Sequence, residues 1–162
     1  MAGEVLELQL RERREYQTPS GKIEFVSSRA REMGARGIPC QPELEAERDE
    51  FTLLNSSIPK YTHSQFTDVY GPIPQIVWVN DEDAQAVKIQ EGDEVVLYNE
   101  RGKVVVKAMV NKKVKRGVLW APRPLTGIGG NPLNVLAPCV SRQIGGGPAF
   151  SHIKVRMKKA AG

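Results

Sequence analysis

The chain has 162 residues, of which 40% are hydrophobic and 26% are charged. This is the size and composition of one globular domain with a tail, long enough to bury a core without disulfides or metals. No apolar run approaches the roughly 18 residues of a membrane-spanning helix, and no basic and apolar leader begins the sequence, so we expect neither a membrane span nor a signal peptide.

Positive charge is concentrated in the last third of the chain. Residues 101–162 contain 13 Lys and Arg side chains and no Asp or Glu, a composition that favours anionic ligands or an acidic partner surface. A solvated basic face explains most of the individual lysines equally well. The two cysteines, Cys40 and Cys139, lack the spacing of a metal or iron–sulfur site, and we interpret them as incidental.

The first 50 residues are interpreted as a peripheral approach segment and linker, partly disordered. Residues 18–21 are a turn signal, residues 23–26 alternate like a short strand, and residues 29–34 predict a brief helix. The Pro- and Glu-rich stretch 39–50 is typical of a linker. The compact domain is predicted to span residues 51–158, with residues 159–162 as a tail.

Six short apolar or alternating runs in this domain predict strands. They cover residues 51–54, 76–79, 94–98, 103–110, 118–121 and 153–157. Asn80 can cap a short helix over residues 81–87, with Asp83 at the capping-box position. Residues 99–102 predict a hairpin turn in which Gly102 has a positive φ. Short strands, one or two short helices and long loops at 58–74 and 122–150 together predict a mainly β fold, a closed barrel.

Several segments of the chain resemble, in the same order, the C-terminal cofactor-binding domain of DMSO-reductase-family molybdenum oxidoreductases. The segments are 18–24, 51–54, 61–66, 80–84, 89–95, 101–108, 114–118, 131–136 and 145–150. Each segment alone is a weak signal, and the ordered set carries the resemblance. The run Thr-His-Ser-Gln-Phe at 62–66 is most similar to the thiosulfate- and polysulfide-reductase branch.

This resemblance implies a double-psi β-barrel that binds a molybdopterin guanine dinucleotide carrying molybdenum or tungsten. It implies a domain that binds and orients the cofactor at the C-terminus of a multidomain oxidoreductase and has no activity alone, with no cofactor expected on the isolated domain. The implied partners are the upstream catalytic domains of the same polypeptide and an iron–sulfur electron-transfer subunit, with no nucleic acid and no membrane contact. The compartment stays open between cytoplasm and periplasm.

Two loops supply the amides, hydroxyls and cations that a pterin dinucleotide requires. The candidate cofactor-binding residues are Asn55, Ser56, Ser57, Lys60, His63 and Ser64 in the first loop and Arg123, Asn134 and Gln143 in the second. By resemblance, residues 55–57 approach the cofactor mainly through backbone, and residues 63 and 64 hydrogen-bond pterin or phosphate. An ordinary loop histidine and a flexible Gly-rich surface loop are the alternatives. No catalytic or metal-ligating residue is assigned.

The remaining signals have structural interpretations. Trp78 and Trp120 lie in apolar runs, and we interpret them as core or domain-interface residues. The acids at 81–83 and 91 are interpreted as caps and a solvated face. A free-standing double-psi barrel, acting as a binding module or small subunit, is the alternative function. Nucleic-acid binding is disfavoured because only Trp120 and Phe150 are aromatic after residue 100.

Overall fold

A computed structural model describes residues 16–39, 49–63, 65–123, 125–141, 146–147 and 153–160. The chain divides into two compact units, residues 1–43 and 44–162, and each is described by itself. Cys40, Ser64 and Gln143 lie outside the described residues. None of the helices in the described ranges is long and apolar enough to cross a membrane.

In the described part of the first unit, residues 16–39, a tight turn precedes a short helix. The Gly21 N–H closes the turn by donating to the Thr18 carbonyl at 3.0 Å. Helix α1 spans Ser28–Glu32 and begins at Ser27, whose Oγ accepts a hydrogen bond from the Ala30 N–H. The strand predicted over residues 23–26 is wrong: this segment is bent, and the Phe25 side chain is 87% exposed. Alternation alone forms no strand without a neighbouring strand to supply hydrogen bonds.

The second unit contains a closed six-stranded barrel, as predicted. Its strands are β1 Phe51–Ser56, β2 Ile76–Val79, β3 Glu94–Asn99, β4 Gly102–Val110, β5 Val118–Pro122 and β6 Ile153–Lys159. Each corresponds to one predicted strand, and β6 extends one residue into the predicted tail. The order of strands around the barrel is β1-β5-β2-β4-β3-β6.

This strand order has an internal symmetry. Exchanging β1, β2 and β3 with β4, β5 and β6, respectively, leaves every pair of neighbours unchanged. The operation exchanges the two parallel pairs, β1–β5 and β2–β4, and maps the antiparallel pairs β2–β5 and β3–β6 onto themselves. The arrangement is that of a double-psi β-barrel, so the predicted fold class is confirmed.

Alternate side chains of every strand fill the barrel interior. Successive side chains of a strand point to opposite faces, and in β4 Val104, Val106 and Ala108 are fully buried while Lys103 and Lys107 are exposed. The other strands bury Phe51, Leu53, Val77, Val79, Val95, Leu97, Leu119, Ala121, Ile153, Val155 and Met157. Each large aliphatic side chain contributes roughly 1.5–3 kcal/mol when buried, so this interior is the main support of the fold.

Short helices lie in the connections between strands. Helix α2 spans Thr67–Tyr70, inside a segment predicted to be a loop, and α3 spans Asp81–Ala86. As predicted, Asn80 caps α3, because its Oδ1 accepts from the Glu82 N–H at 3.0 Å. The capping-box role of Asp83 is wrong, since its carboxylate accepts from the Gly117 N–H at 2.7 Å instead.

The β3–β4 hairpin has the predicted two-residue turn, but Gly102 has a different role from the one expected. Its φ is not positive. A Cβ at this position would lie 2.9 Å from Val135 Cγ2, so the glycine instead makes room for the 3-10 helix Leu133–Leu136, which packs over the hairpin.

The strand directions place both candidate loops at one end of the barrel. The pairing orientations require β1, β3 and β5 to run towards this end and β2, β4 and β6 to run away from it. The β1–β2 connection (57–75) and the β5–β6 connection (123–152) therefore both leave from this end, which we call the loop end. The β2–β3 and β4–β5 connections lie at the opposite end.

Candidate functional site

The ends of the parallel strands β1 and β5 bring the first candidate residues together. Ser56 is in register with Pro122, and the Arg123 N–H donates to the Ser56 carbonyl at 2.8 Å. Asn55 and Ser57 flank Ser56 in sequence. Four of the predicted cofactor-binding residues, drawn from both loops, thus lie beside one another at the loop end.

Arg123 has an unsatisfied polar atom at this position. Among the described residues, its Nε is buried and has no hydrogen-bond partner. Leaving a buried donor unpaired costs about 1–3 kcal/mol, and more for a charged group. A guanidinium is suited to phosphate, which it can bind through two parallel hydrogen bonds. The end of β5 therefore fits an anionic group such as a phosphate of a dinucleotide.

The first candidate loop has a strained backbone. Lys60, His63 and Phe66 have positive φ angles of 78°, 53° and 69°, a conformation that costs a residue with a Cβ about 1–2 kcal/mol. The Tyr61 hydroxyl stabilises the loop by donating to the Tyr70 carbonyl at 3.1 Å, and Lys60 Nζ lies 5.6 Å from the Tyr70 ring centroid. Strained loop residues of this kind concentrate at ligand-binding sites.

The two candidate loops are joined again where the first one returns to the barrel. Gln75 Nε2 donates to the Thr126 carbonyl at 2.8 Å. Beyond Thr126 the second loop follows β4, where the Ile128 N–H donates to the Val105 carbonyl at 2.7 Å. The sequence interpretation missed Gln75. Its position directly before β2, where the first loop ends, was the feature that could have identified it.

Asn134 lies on the 3-10 helix, with its side chain exposed between the buried Leu133 and Leu136. Asn99 Nδ2 fixes this helix at the loop end by donating to the Leu136 carbonyl at 2.9 Å. Within the described part of the chain, the side chains of His63 and Asn134 form no hydrogen bond with another candidate residue. Both belong to connections that leave the loop end, and their roles stay predictions.

Trp78 and Trp120 are on the outside of the barrel, so of the two predicted places, core or domain interface, the core is wrong. They are in register between the antiparallel strands β2 and β5, with ring centroids 4.3 Å apart. The residues that flank them in sequence are the ones that point inward, namely Val77, Val79, Leu119 and Ala121. Trp120 Nε1 donates to Ser56 Oγ at 2.9 Å. The Ser56 hydroxyl is thus engaged by Trp120, and the Ser56 carbonyl by the Arg123 N–H, so both oxygens of Ser56 are held within the chain.

Comparisons with known proteins agree on one family. The family model described as "Molydopterin dinucleotide binding domain" matches residues 51–154. The probable oxidoreductase YyaE of Bacillus subtilis is 28% identical over 156 residues, which cover 90% of this chain and 23% of YyaE. Dimethyl sulfoxide reductase DmsA of Escherichia coli is 30% identical over 125 residues, covering 63% of this chain and 15% of DmsA.

A solved structure agrees with the barrel. Acetylene hydratase from Pelobacter acetylenicus superposes with a TM-score of 0.69 at 15% sequence identity, over 90% of this chain and 24% of its own. This likeness concerns the fold. The chain spans less than a quarter of the length of each of these three proteins.

Proposed function

Because the chain belongs to the molydopterin dinucleotide binding domain family, we propose that it holds a molybdopterin guanine dinucleotide as one domain of a larger molybdenum or tungsten oxidoreductase. The observation that carries the proposal is the convergence of residues 55–57 and Arg123 at the loop end, with the Arg123 Nε buried and without a hydrogen-bond partner among the described residues. The chain supplies one wall of the cofactor site, and the upstream catalytic domains supply the rest.

Each candidate group has a part of the cofactor that suits its chemistry. We assign the Arg123 guanidinium and the Lys60 ammonium to the pyrophosphate, because both are cations at the loop end. His63 and Ser64 hydrogen-bond pterin or phosphate, and the amides of Asn134 and Gln143 bind polar ring edges. Bound, the cofactor supplies the redox-active metal, and the residues of this chain bind and orient it.

The proposal predicts a bound guanine nucleotide whose retention depends on Arg123. The chain is produced together with the remaining domains of its oxidoreductase in cells that make the cofactor. Molybdenum, tungsten and the guanosine monophosphate released by acid are then measured in the purified assembly. Arg123→Ala is expected to lower retained nucleotide about tenfold or more, the effect of losing one charge-assisted contact to phosphate.

A matched control removes the same charge elsewhere. Lys158 lies on β6, and its Nζ is 5.3 Å from the Tyr98 ring centroid. Lys158→Ala is expected to leave nucleotide retention unchanged, because β6 runs away from the loop end and Lys158 is near its far terminus. A wild-type assembly that contains neither guanine nucleotide nor metal contradicts the proposal.

The finer assignments rest on the resemblance alone. The run at 62–66 supports the thiosulfate- and polysulfide-reductase branch, which turnover of thiosulfate, polysulfide and dimethyl sulfoxide by the assembled enzyme would distinguish. An iron–sulfur subunit is the proposed electron-transfer partner. We also propose residues 51–158 as the cofactor-binding domain, with residues 1–50 as its approach segment and linker.

A further inference from the structure

An apolar row crosses the outside of the barrel on four neighbouring strands. Leu54 is in register with Trp120, Trp120 with Trp78, and Trp78 with Met109. Leu54 is 43% exposed and Met109 37% exposed, and the two half-buried indoles cover each other. We call these four residues the apolar row. Contiguous exposed apolar side chains of this kind mark an interaction surface.

The internal symmetry of the barrel relates the two halves of the apolar row to each other. The exchange of strands carries β1 onto β4 and β5 onto β2, and so relates Leu54 to Met109 and Trp120 to Trp78. The outward positions of the other two strands are more polar and include Tyr98, Arg156 and Lys158. The apolar row therefore lies on the outside of β1, β5, β2 and β4, whereas the outward residues of β6, Lys154, Arg156 and Lys158, are basic.

We propose that the apolar row docks against the catalytic part of the molybdenum oxidoreductase whose cofactor this chain binds. The inference rests on the proposed function. The row continues directly into the candidate site, because Trp120 Nε1 donates to Ser56 Oγ at 2.9 Å. Binding sites for cofactors lie preferentially between domains, so a surface continuous with the site is the one that the second domain covers. The matched part is only 23% of YyaE, which leaves ample chain to provide that domain.

Lysines at the border of the row favour this partner over a second copy of the chain. Lys113 Nζ lies 5.0 Å from the Trp78 ring centroid, and Lys107 is exposed on β4, two residues from Met109. β4 and β5 carry no carboxylate, and the acids beside them are engaged within the chain, since Glu91 accepts from the Val110 N–H and Glu94 lies in register with Lys107. A partner surface with an apolar centre and an acidic rim matches both features.

The two tryptophans make the docking directly observable. They are the only tryptophans in the chain, so a chain labelled with 5-fluorotryptophan gives two ¹⁹F resonances, both from the apolar row. The labelled chain is titrated with the unlabelled remainder of its oxidoreductase, produced without the matched domain and first shown by circular dichroism and thermal melting to be folded. Both resonances are expected to shift on complex formation, and the same titration gives the dissociation constant.

Three single substitutions test the surface, and each replaces an outward-facing apolar residue with glutamate. Met109→Glu and Leu54→Glu place a carboxylate at either end of the apolar row, and each is expected to raise the dissociation constant about tenfold or more, as loss of a central apolar contact does. Val96→Glu is the control, because Val96 faces outward on β3, off the row, with Lys158 directly opposite. It is expected to leave the dissociation constant unchanged.

The outcomes separate this inference from the proposed function. If the complex forms and retains guanine nucleotide but Met109→Glu and Leu54→Glu bind as tightly as the wild type, the docking surface is wrong and the proposed function stands. If the complex forms through the row but holds no nucleotide, the proposed function fails alone. Absence of any complex overturns the docking inference. So does a dimer of the isolated chain, seen by light scattering, that Met109→Glu dissolves.

Discussion

Asp83 is a buried carboxylate that joins two connections at the end of the barrel opposite the loop end. Its side chain is 10% exposed, accepts from the Gly117 N–H at 2.7 Å and lies 3.8 Å from Arg116 Nε. Asp83→Ala leaves the partly buried Gly117 N–H without a partner. We expect the free energy of unfolding, measured in urea, to fall by about 1–3 kcal/mol.

Glu82 provides the control for this prediction. It pairs with the same arginine, Arg116, at 3.2 Å, but its side chain is 62% exposed. Because exposed ion pairs contribute at most about 1 kcal/mol, Glu82→Ala is expected to cost clearly less than Asp83→Ala. Equal losses from the two substitutions would show that the Gly117 hydrogen bond contributes nothing.

The carboxylate of Asp93, which forms an ion pair with Lys159, makes the stability of the fold depend on pH. Lys159 Nζ donates to Asp93 Oδ2 at 2.8 Å and, together with the Gln90 N–H, holds the pKa of this carboxyl below its ordinary value. A folded-state pKa below the unfolded one stabilises the fold fully above about pH 4–5, and this contribution is lost as the pH falls through the folded-state pKa.

We therefore expect Asp93→Asn to melt below the wild type at pH 7, and the difference in Tm to close as the pH falls well below 4. Thermal unfolding followed by circular dichroism at pH 7 and at about pH 2–3 measures both values. The direction is fixed because the neutral amide keeps no charge to lose on acidification. A difference in Tm that is the same at both pH values contradicts the electrostatic origin.

The second loop crosses β4 at a point that has no room for a side chain. A Cβ on Gly127 would overlap Val104 Cγ1 and lie 2.6 Å from the Val105 carbonyl oxygen. The same stretch is held by the hydrogen bond from the Ile128 N–H to Val105. Gly127→Ala must push the loop away from β4, and we expect it to lower the free energy of unfolding by about 1–3 kcal/mol.

Gly147, in the same connection, is the matched control. A Cβ there would meet no atom of the described residues within 4 Å, and the residue does not have a positive φ. Gly147→Ala is expected to change the free energy of unfolding by no more than about 0.5 kcal/mol. If both substitutions destabilise equally in urea, the close approach of Gly127 to β4 is not the cause.

The six strands could be predicted because their apolar runs and turn signals are local in sequence. Which face of a strand points inward could not be predicted for β2 and β5. Every residue of Ile76–Val79 and Val118–Pro122 is apolar, so no alternation identifies the inner face, and the placement of Trp78 and Trp120 depends on the pairing of strands that are distant in sequence. Residues 23–26 show the converse, an alternating pattern without a partner strand.

At the candidate site, composition indicated the two loops, and strand direction explains why they share one end. The individual contacts depend on non-local register. The Trp120 indole reaches Ser56 only because Leu54 and Trp120 are paired, which places Ser56 beside Pro122. The sequence of a loop does not predict which distant residue a polar side chain contacts. The roles of His63 and Asn134 therefore stay predictions, and that of Arg123 is a prediction supported by its buried Nε.

The whole barrel is closed by β6, which pairs with β1 over three register pairs in the described part of the chain. Asn99 reinforces this closure from the end of β3. Its Nδ2 donates to the Leu136 carbonyl at 2.9 Å and to the Lys154 carbonyl at 3.0 Å. One side chain thus links the 3-10 helix and β6 to the β3–β4 hairpin, on the side of the barrel opposite β2.

If the barrel unfolds as one unit, loss of the Asn99 hydrogen bonds must also destabilise strands that Asn99 does not contact. Asn99→Ala removes three hydrogen bonds, since Asn99 Oδ1 also accepts from the Arg101 N–H at 2.9 Å, and is expected to lower the free energy of unfolding by about 1–3 kcal/mol. Circular dichroism reports the whole fold, whereas fluorescence reports the Trp78–Trp120 pair between β2 and β5. For a cooperative barrel, both urea midpoints fall together.

The control is Asn131→Ala, which removes one exposed hydrogen bond, from Asn131 Nδ2 to the Lys103 carbonyl at 3.2 Å, and should shift both midpoints less. If Asn99→Ala lowered the midpoint by circular dichroism but left the fluorescence midpoint in place, β6 would detach on its own. The closed barrel would then be an assembly of separately stable parts. Coincident shifts are expected instead, because every strand contributes side chains to the same interior and none can leave without exposing the others.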